Sequence, residues 1–166
     1  MFLVGAFDLS FDQKSRLSIP AVARSELAKA ARESSVANLD GRMPSNSAES
    51  GASKDVEPSA TIYILPGDRR EILAVYEAGY FEKSRLGVPP TAQLSRAARD
   101  WSRFEASLTM KVEPDSQGRV VIPERLMKLS GMTKDVTLVG AFDHYQIWSR
   151  ETYATFLESK WTNYED

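Results

Sequence analysis

DQKSRLSIP (residues 12–20) and DSQGRVVIP (residues 115–123) are nearly the same nine-residue phrase, written twice 103 positions apart in a chain of 166 residues. Each copy opens on aspartate, carries arginine at its fifth position and closes on Ile-Pro. Aspartate opens each gap and Ser15 or Gly118 closes it, so a tight turn is expected in each copy. The alternation that follows predicts short strands over 16–19 and 119–122. Proline then opens a helix, where its missing N–H costs nothing. A second echo, VGAFD at residues 4–8 and 139–143, strengthens the impression of an internal repeat.

Working outward, PERLMKLSG sets Leu126, Met127 and Leu129 at helical spacing, and Gly131 suits a left-handed cap. DVTLVGAFDHYQIW reads as two strands around a turn near residues 141–143. SRETYATFLESKW reads as a helix with Ser149 as N-cap and Thr152 and Phe156 turned inward. The first copy repeats the plan, pairing Asp68 with Asp143, Ile72 with Ile147 and Phe81 with Phe156. Its spacing from motif aspartate to later aspartate is longer by 28 residues, an excess assigned to the region of 34–60, a Ser-, Ala-, Asn- and Gly-rich stretch with few large apolar side chains. Such a composition offsets little of its ordering entropy and reads as a mobile inserted loop, whether a tolerated insertion or a regulatory one. Between the copies, Leu94, Ala97, Trp101, Phe104 and Leu108 mark an amphipathic helix whose other side carries Arg96, Arg99 and Arg103. The expected division is a first repeat over 1–90 including the insert, a linker helix over 91–108, and a second repeat with its C-terminal helix over 109–166.

The bulk composition narrows the function classes. Hydrophobic residues at 42% support a packed core. The net charge of −2 is uneven: segments 34–60 and 150–166 each carry −2, which leaves the remainder at +2. That body permits a local phosphate contact without demanding one. The apolar opening MFLVGAFDLSF lacks a positive flank and does not read as a signal peptide, and no run approaches the roughly 18 apolar residues of a membrane span. With no cysteine and a single histidine, His144, the usual zinc sets and the cysteine nucleophile are excluded within one chain. Neither Gly-x-Ser-x-Gly nor a phosphate-cradling glycine loop occurs. His144 reads as a structural residue, and no enzyme, cofactor, metal site or small-molecule substrate is expected.

The repeated phrase is where chemistry concentrates. Leu17 and Ile19 in the first copy, and Val120 and Ile122 in the second, should face inward. Arg16, Ser18, Arg119 and Val121 then face outward. Each arginine follows a tight turn on an anchored strand, a rigid mount suited to phosphate or guanine. Lys14 lies in the first turn and Gln117 takes its place in the second. The residues alone leave two readings open: nucleic-acid contact, or ion pairing to Asp12 and Asp115 that merely holds the turn. Val121, an apolar residue on the outward side, is expected to be covered by the other half or by a neighbouring subunit.

The two phrases resemble the Asp-x-x-Gly-Arg-x-x-Ile-Pro signature of AbrB/SpoVT-type swapped-hairpin domains. Their tandem arrangement, with ARDWSRF between them and DVTLVGAFDHYQIWSRETY after the second, resembles the MraZ family of bacterial transcriptional regulators. The resemblance covers nearly the whole chain outside 34–60. It implies a β-rich α+β fold in which two swapped-hairpin β/α repeats interlock as a pseudo-two-fold, double-psi-like barrel with peripheral helices. It also implies a cytoplasmic, nucleoid-associated, ring-shaped homo-oligomer, with no membrane partner. That ring would bind double-stranded DNA at repeated boxes upstream of the division and cell-wall gene cluster. The DNA-contacting arginine of the family falls on Arg16, with Lys14 in the same turn. Gln117 and Arg119 are the matching residues of the second copy, where contact with DNA or with a neighbouring subunit both remain open. Ser15 departs from the pattern where the second copy has Gly118, which predicts a strained or differently shaped first turn. An antitoxin-like or scaffold protein, using the arginine turns for a protein partner, is the alternative.

Overall fold

A computed structural model describes residues 1–37 and 60–164. The first half runs β1 (Ala6–Ser10), β2 (Arg16–Ser18), α1 (Ala21–Ala37), β3 (Ile62–Pro66), β4 (Ile72–Glu77) and α2 (Ala78–Leu86). A short 3-10 turn (Thr91–Gln93) and α3 (Arg96–Leu108) follow. The second half repeats the order: β5 (Met110–Val112), β6 (Arg119–Val121), α4 (Glu124–Ser130), β7 (Asp135–Gly140), β8 (Tyr145–Ser149) and α5 (Arg150–Thr162). Most of the insert, 38–59, lies outside the described residues. Residues 34–37, expected to belong to the loop, instead continue α1, and Ser34 there donates to the buried carboxylate of Glu77 at 3.0 Å.

Six strands form an antiparallel sheet in the order β1-β7-β8-β4-β3-β5. Exchanging the halves maps this order onto itself. The central pair is β4 with β8, while β1 crosses to β7 of the other half and β5 crosses to β3. A second, two-stranded sheet joins β2 to β6. The inward positions of both halves then meet in one core, with Leu17, Ile64, Val120, Ile122, Leu138 and Ile147 all buried. Each such side chain contributes about 1.5–3 kcal/mol on burial, so neither half keeps its core without the other.

The expected barrel is not present. The six-stranded sheet stays open, with β1 and β5 each bonded on one side only among the described residues. Closure needs a ladder that continues from edge to edge. The strands that would have to carry it, β2 and β6, span three residues each and bond only to one another. A tight turn limits each on one side, and Pro20 or Pro123, which lacks an N–H, lies just beyond Ile19 or Ile122 on the other.

Two further readings change. The VGAFD echo is offset by 135 residues rather than 103, and the two copies are not equivalents. They lie beside each other, with Ala6 paired to Val139 and the Gly140 N–H donating to Gly5 O at 2.8 Å. On α3 the predicted apolar stripe is largely uncovered: Leu108 is buried, but Trp101 is 56% exposed and Phe104 46%. Gly131 adopts the left-handed cap at φ 69, and Ser149 accepts from the Thr152 N–H at 3.2 Å, as their sequences indicate. Thr152 and Phe156 are half-buried, and Leu129 is exposed.

Candidate functional site

The two turns share one hydrogen-bonding frame. In the first, Oδ1 of Asp12 accepts from the backbone N–H groups of Lys14 and Arg16, each at 2.9 Å. Nε of Arg16 donates to Oδ2 at 2.7 Å. In the second, Oδ1 of Asp115 accepts from the N–H groups of Gln117 and Arg119, again at 2.9 Å, and Nε of Arg119 donates to Oδ2 at 2.8 Å. Backbone bonds close both loops in the same way, from Asp12 N to Arg16 O and from Asp115 N to Arg119 O. The fourth residue of each turn is left-handed, Ser15 at φ 58 and Gly118 at φ 75. Serine therefore adopts the glycine conformation, and the first turn is strained rather than reshaped.

Aspartate is the residue for this task because one short carboxylate satisfies two turn N–H groups and a guanidinium together. The same bonds set its acidity. The Arg16 N–H, against a smaller opposing effect of burial, and then the Arg16 guanidinium and Lys14 N–H hold Asp12 below the ordinary carboxylate range. Asp115 is lowered in the same way by Arg119 and Gln117. The arginines thus do pair with their aspartates, but through Nε alone. Among the described residues their terminal nitrogens have no hydrogen-bond partner, and a guanidinium fork remains for an outside acceptor.

The register of the small sheet brings the two phrases together. Arg16 lies opposite Val121, Leu17 opposite Val120, and Ser18 opposite Arg119. Directly paired residues of an antiparallel ladder share a face, as do residues two apart. Leu17 and Val120 therefore go to the core, while Arg16, Ser18, Arg119 and Val121 form one outward face. The arginine side chains retain 26% and 28% exposure. Lys14 and Gln117 are exposed at the two turns, at opposite ends of this ribbon. Val121 is 54% exposed, so the other half does not cover it. Reading each copy separately misses this shared face, since β2 and β6 meet only through the tertiary pairing. Arg24, whose side chain lies over Gly118 of the second turn, is likewise not singled out by the sequence. Its one available signal is that the 103-residue offset pairs it with Met127, a cation against an apolar residue.

His144 is held in a structural cluster. Its Nδ1 lies 2.7 Å from Oδ1 of Asp143, its Nε2 lies 3.2 Å from Gln146, and its ring stacks on Tyr76 at 4.6 Å. Burial raises the pKa of Asp143, but hydrogen bonds from His144 and Tyr80 outweigh it and the net shift is downward. Among the described residues no group of three or more His, Cys, Asp or Glu side chains is gathered as a metal site, and no helix is long and apolar enough to cross a membrane.

Two interleaved halves thus present a pair of carboxylate-braced arginines on one outward ribbon, an arrangement with no catalytic or metal-ligating cluster beside it among the described residues. Comparison with known proteins makes this specific. A sequence profile described as "MraZ protein, putative antitoxin-like" matches residues 106–165. The chain is 30% identical over 159 residues to the transcriptional regulator MraZ of Mycoplasmopsis pulmonis, covering 96% of this chain and 86% of that protein. The MraZ regulator of Micrococcus luteus is 29% identical over 157 residues, covering 95% and 87%. That of Tropheryma whipplei is 30% identical over 97 residues, covering 58% and 68%. The chain belongs to the MraZ family of transcriptional regulators and is a regulator of that type, not an enzyme.

Proposed function

We propose that the chain binds double-stranded DNA sequence-specifically, at repeated boxes in the promoter of the division and cell-wall gene cluster, with Lys14, Arg16, Gln117 and Arg119 at the interface. The observation that carries this reading is the β2–β6 face, where two arginines keep their terminal nitrogens available while Nε is fixed by aspartate. A two-stranded ribbon fits the major groove, and a guanidinium fork matches the O6 and N7 of guanine. Val121, across from Arg16, offers the apolar contact that suits a thymine methyl. In this reading 1–90 and 109–166 act as two repeat units joined by 91–108, and the protein works at the nucleoid in the cytoplasm.

One ribbon makes few contacts, so useful affinity requires several copies acting together. A homo-oligomeric ring over repeated boxes provides this, since linkage raises avidity by roughly 10²–10⁴. The uncovered Trp101 and Phe104, beside a groove of about 370 Å³ that also takes in Leu126 and Leu129, supply apolar surface for a second copy. A gel shift with the duplex upstream of the protein's own gene, repeated over a salt series, tests the reading. Retarded complexes whose affinity falls steeply with salt are expected. The profile's antitoxin-like description favours one alternative, a protein partner held by the same arginines. Absence of any salt-sensitive shift would favour that alternative and remove the DNA reading.

A further inference from the structure

We propose that Arg24, from the first half, contacts a DNA backbone phosphate at the second turn and replaces the cation that this turn lacks. The inference rests on the DNA reading above and assigns a residue to it. The two motif turns are equal in frame but unequal in charge: the first carries Lys14, and the second has Gln117 at that position. The residue that repeats Arg24 in the second half is Met127, packed partly buried against the core, so the two halves differ at this position as well.

The tertiary structure places a cation at the second turn. Arg24 lies in the first turn of α1, its N–H donating to Pro20 O at 2.9 Å, one short step from β2. Because β2 pairs with β6, that step carries its side chain over Gly118. A β-carbon on Gly118 would lie 2.3 Å from Cδ of Arg24 and 2.7 Å from both Nε and Nη1. The guanidinium therefore rests on the glycine, which is buried beneath it, between Gln117 and Arg119 in sequence. Arg24 itself is exposed, and its side chain has no hydrogen bond or ion pair among the described residues. A cation held at a fixed place without a counter-charge suits an outside anion, and here the neighbouring Arg119 is already directed outward. Each turn then offers two cations, Lys14 with Arg16 and Arg24 with Arg119. A phosphate, rather than a base, is the ligand because Arg24 sits beside the ribbon and not on its reading face. The glycine in the motif gains a second reason: besides φ 75, the second turn needs an absent side chain to admit Arg24.

The test measures binding of the full-length protein to its own upstream duplex by fluorescence anisotropy, from about 50 to 200 mM salt. Arg24→Ala should lower the slope of log affinity against log salt by about 0.9 for each subunit that engages. This corresponds to removing roughly a threefold salt effect per contact across that range. Arg24→Ala with Gln117→Lys, which restores a cation within the second turn, should recover the slope. Melting curves of both variants verify that each is folded. A folded Arg24→Ala protein with wild-type slope and affinity, beside an Arg16→Ala protein that has lost binding, would overturn this inference alone. A wild-type protein without salt-sensitive binding would overturn the DNA reading and this inference with it.

Discussion

Ser15 and Gly118 occupy the same position in two matching turns, so exchanging their side chains measures the strain directly. A β-carbon in the left-handed region costs about 1–2 kcal/mol, whereas glycine adds roughly 0.5–1 kcal/mol of chain entropy to be lost on folding. Ser15→Gly removes the first cost and adds the second, and no hydrogen bond of the Ser15 hydroxyl is lost among the described residues. The expected gain is about 0.5–1 kcal/mol, or roughly 1–4 °C in Tm for a chain of this size. Gly118→Ala does the reverse and also drives Cδ of Arg24 off the turn, from an approach of 2.3 Å. Because that neighbour is the flexible part of a side chain, it moves rather than holding the backbone apart. The loss should stay near 1 kcal/mol. Urea denaturation followed by tryptophan fluorescence resolves both, at one fixed protein concentration because assembly shifts apparent stability. An unchanged midpoint for both variants would refute the claim that φ 58 at Ser15 is a strained conformation.

Arg16→Ala should cost roughly 1–3 kcal/mol per base contact and, if the proposed ring engages several boxes, abolish operator binding through loss at each subunit, while leaving the fold intact. Arg119→Ala, with the same geometry, should lower affinity by a comparable factor; wild-type anisotropy curves for either would defeat the ribbon as the reading face. Val121→Glu sets a carboxylate opposite Arg16, so DNA binding should fall while sedimentation stays unchanged, and a smaller species would return Val121 to a subunit contact. Replacing Trp101 and Phe104 together by serine should shrink the assembly in sedimentation velocity with the far-UV spectrum preserved, and an unaltered species would refute that surface. Asp12 and Asp115 have lowered folded pKa values, so their contribution to stability is complete above the unfolded value of about 3.9 and is lost as pH falls through the folded values. Acid titration should therefore show a loss below about pH 4 that is shallower in the Asp12→Asn, Asp115→Asn protein, and equal acid profiles would contradict the carboxylate brace.

Much of the site was legible because its bonds are local. An aspartate four residues before an arginine, with Ser15 or Gly118 just ahead of the arginine, determines the two frames from 12–16 and 115–119 alone, and alternation then directs Leu17, Ile19, Val120 and Ile122 to the core. Pro20 and Pro123 stop the strands, while Gly131 and Ser149 cap their helices through groups within a turn of themselves. The tertiary structure decided what lies across each of these segments. Whether β2 meets β6, and with Arg16 opposite Val121 rather than one residue aside, depends on the summed packing of strands some hundred residues apart, to which no local rule applies. The same holds for the open sheet, because closure requires partners for β1 and β5, and the strands that could supply them, β2 and β6, bond only to one another. Periodicity marked Trp101 and Phe104 as apolar but could not say what would cover them, and the chain itself leaves them open. Arg24 makes the contrast plain: its sequence neighbours are those of an ordinary helix surface, and only the pairing of β2 with β6 brings it onto Gly118.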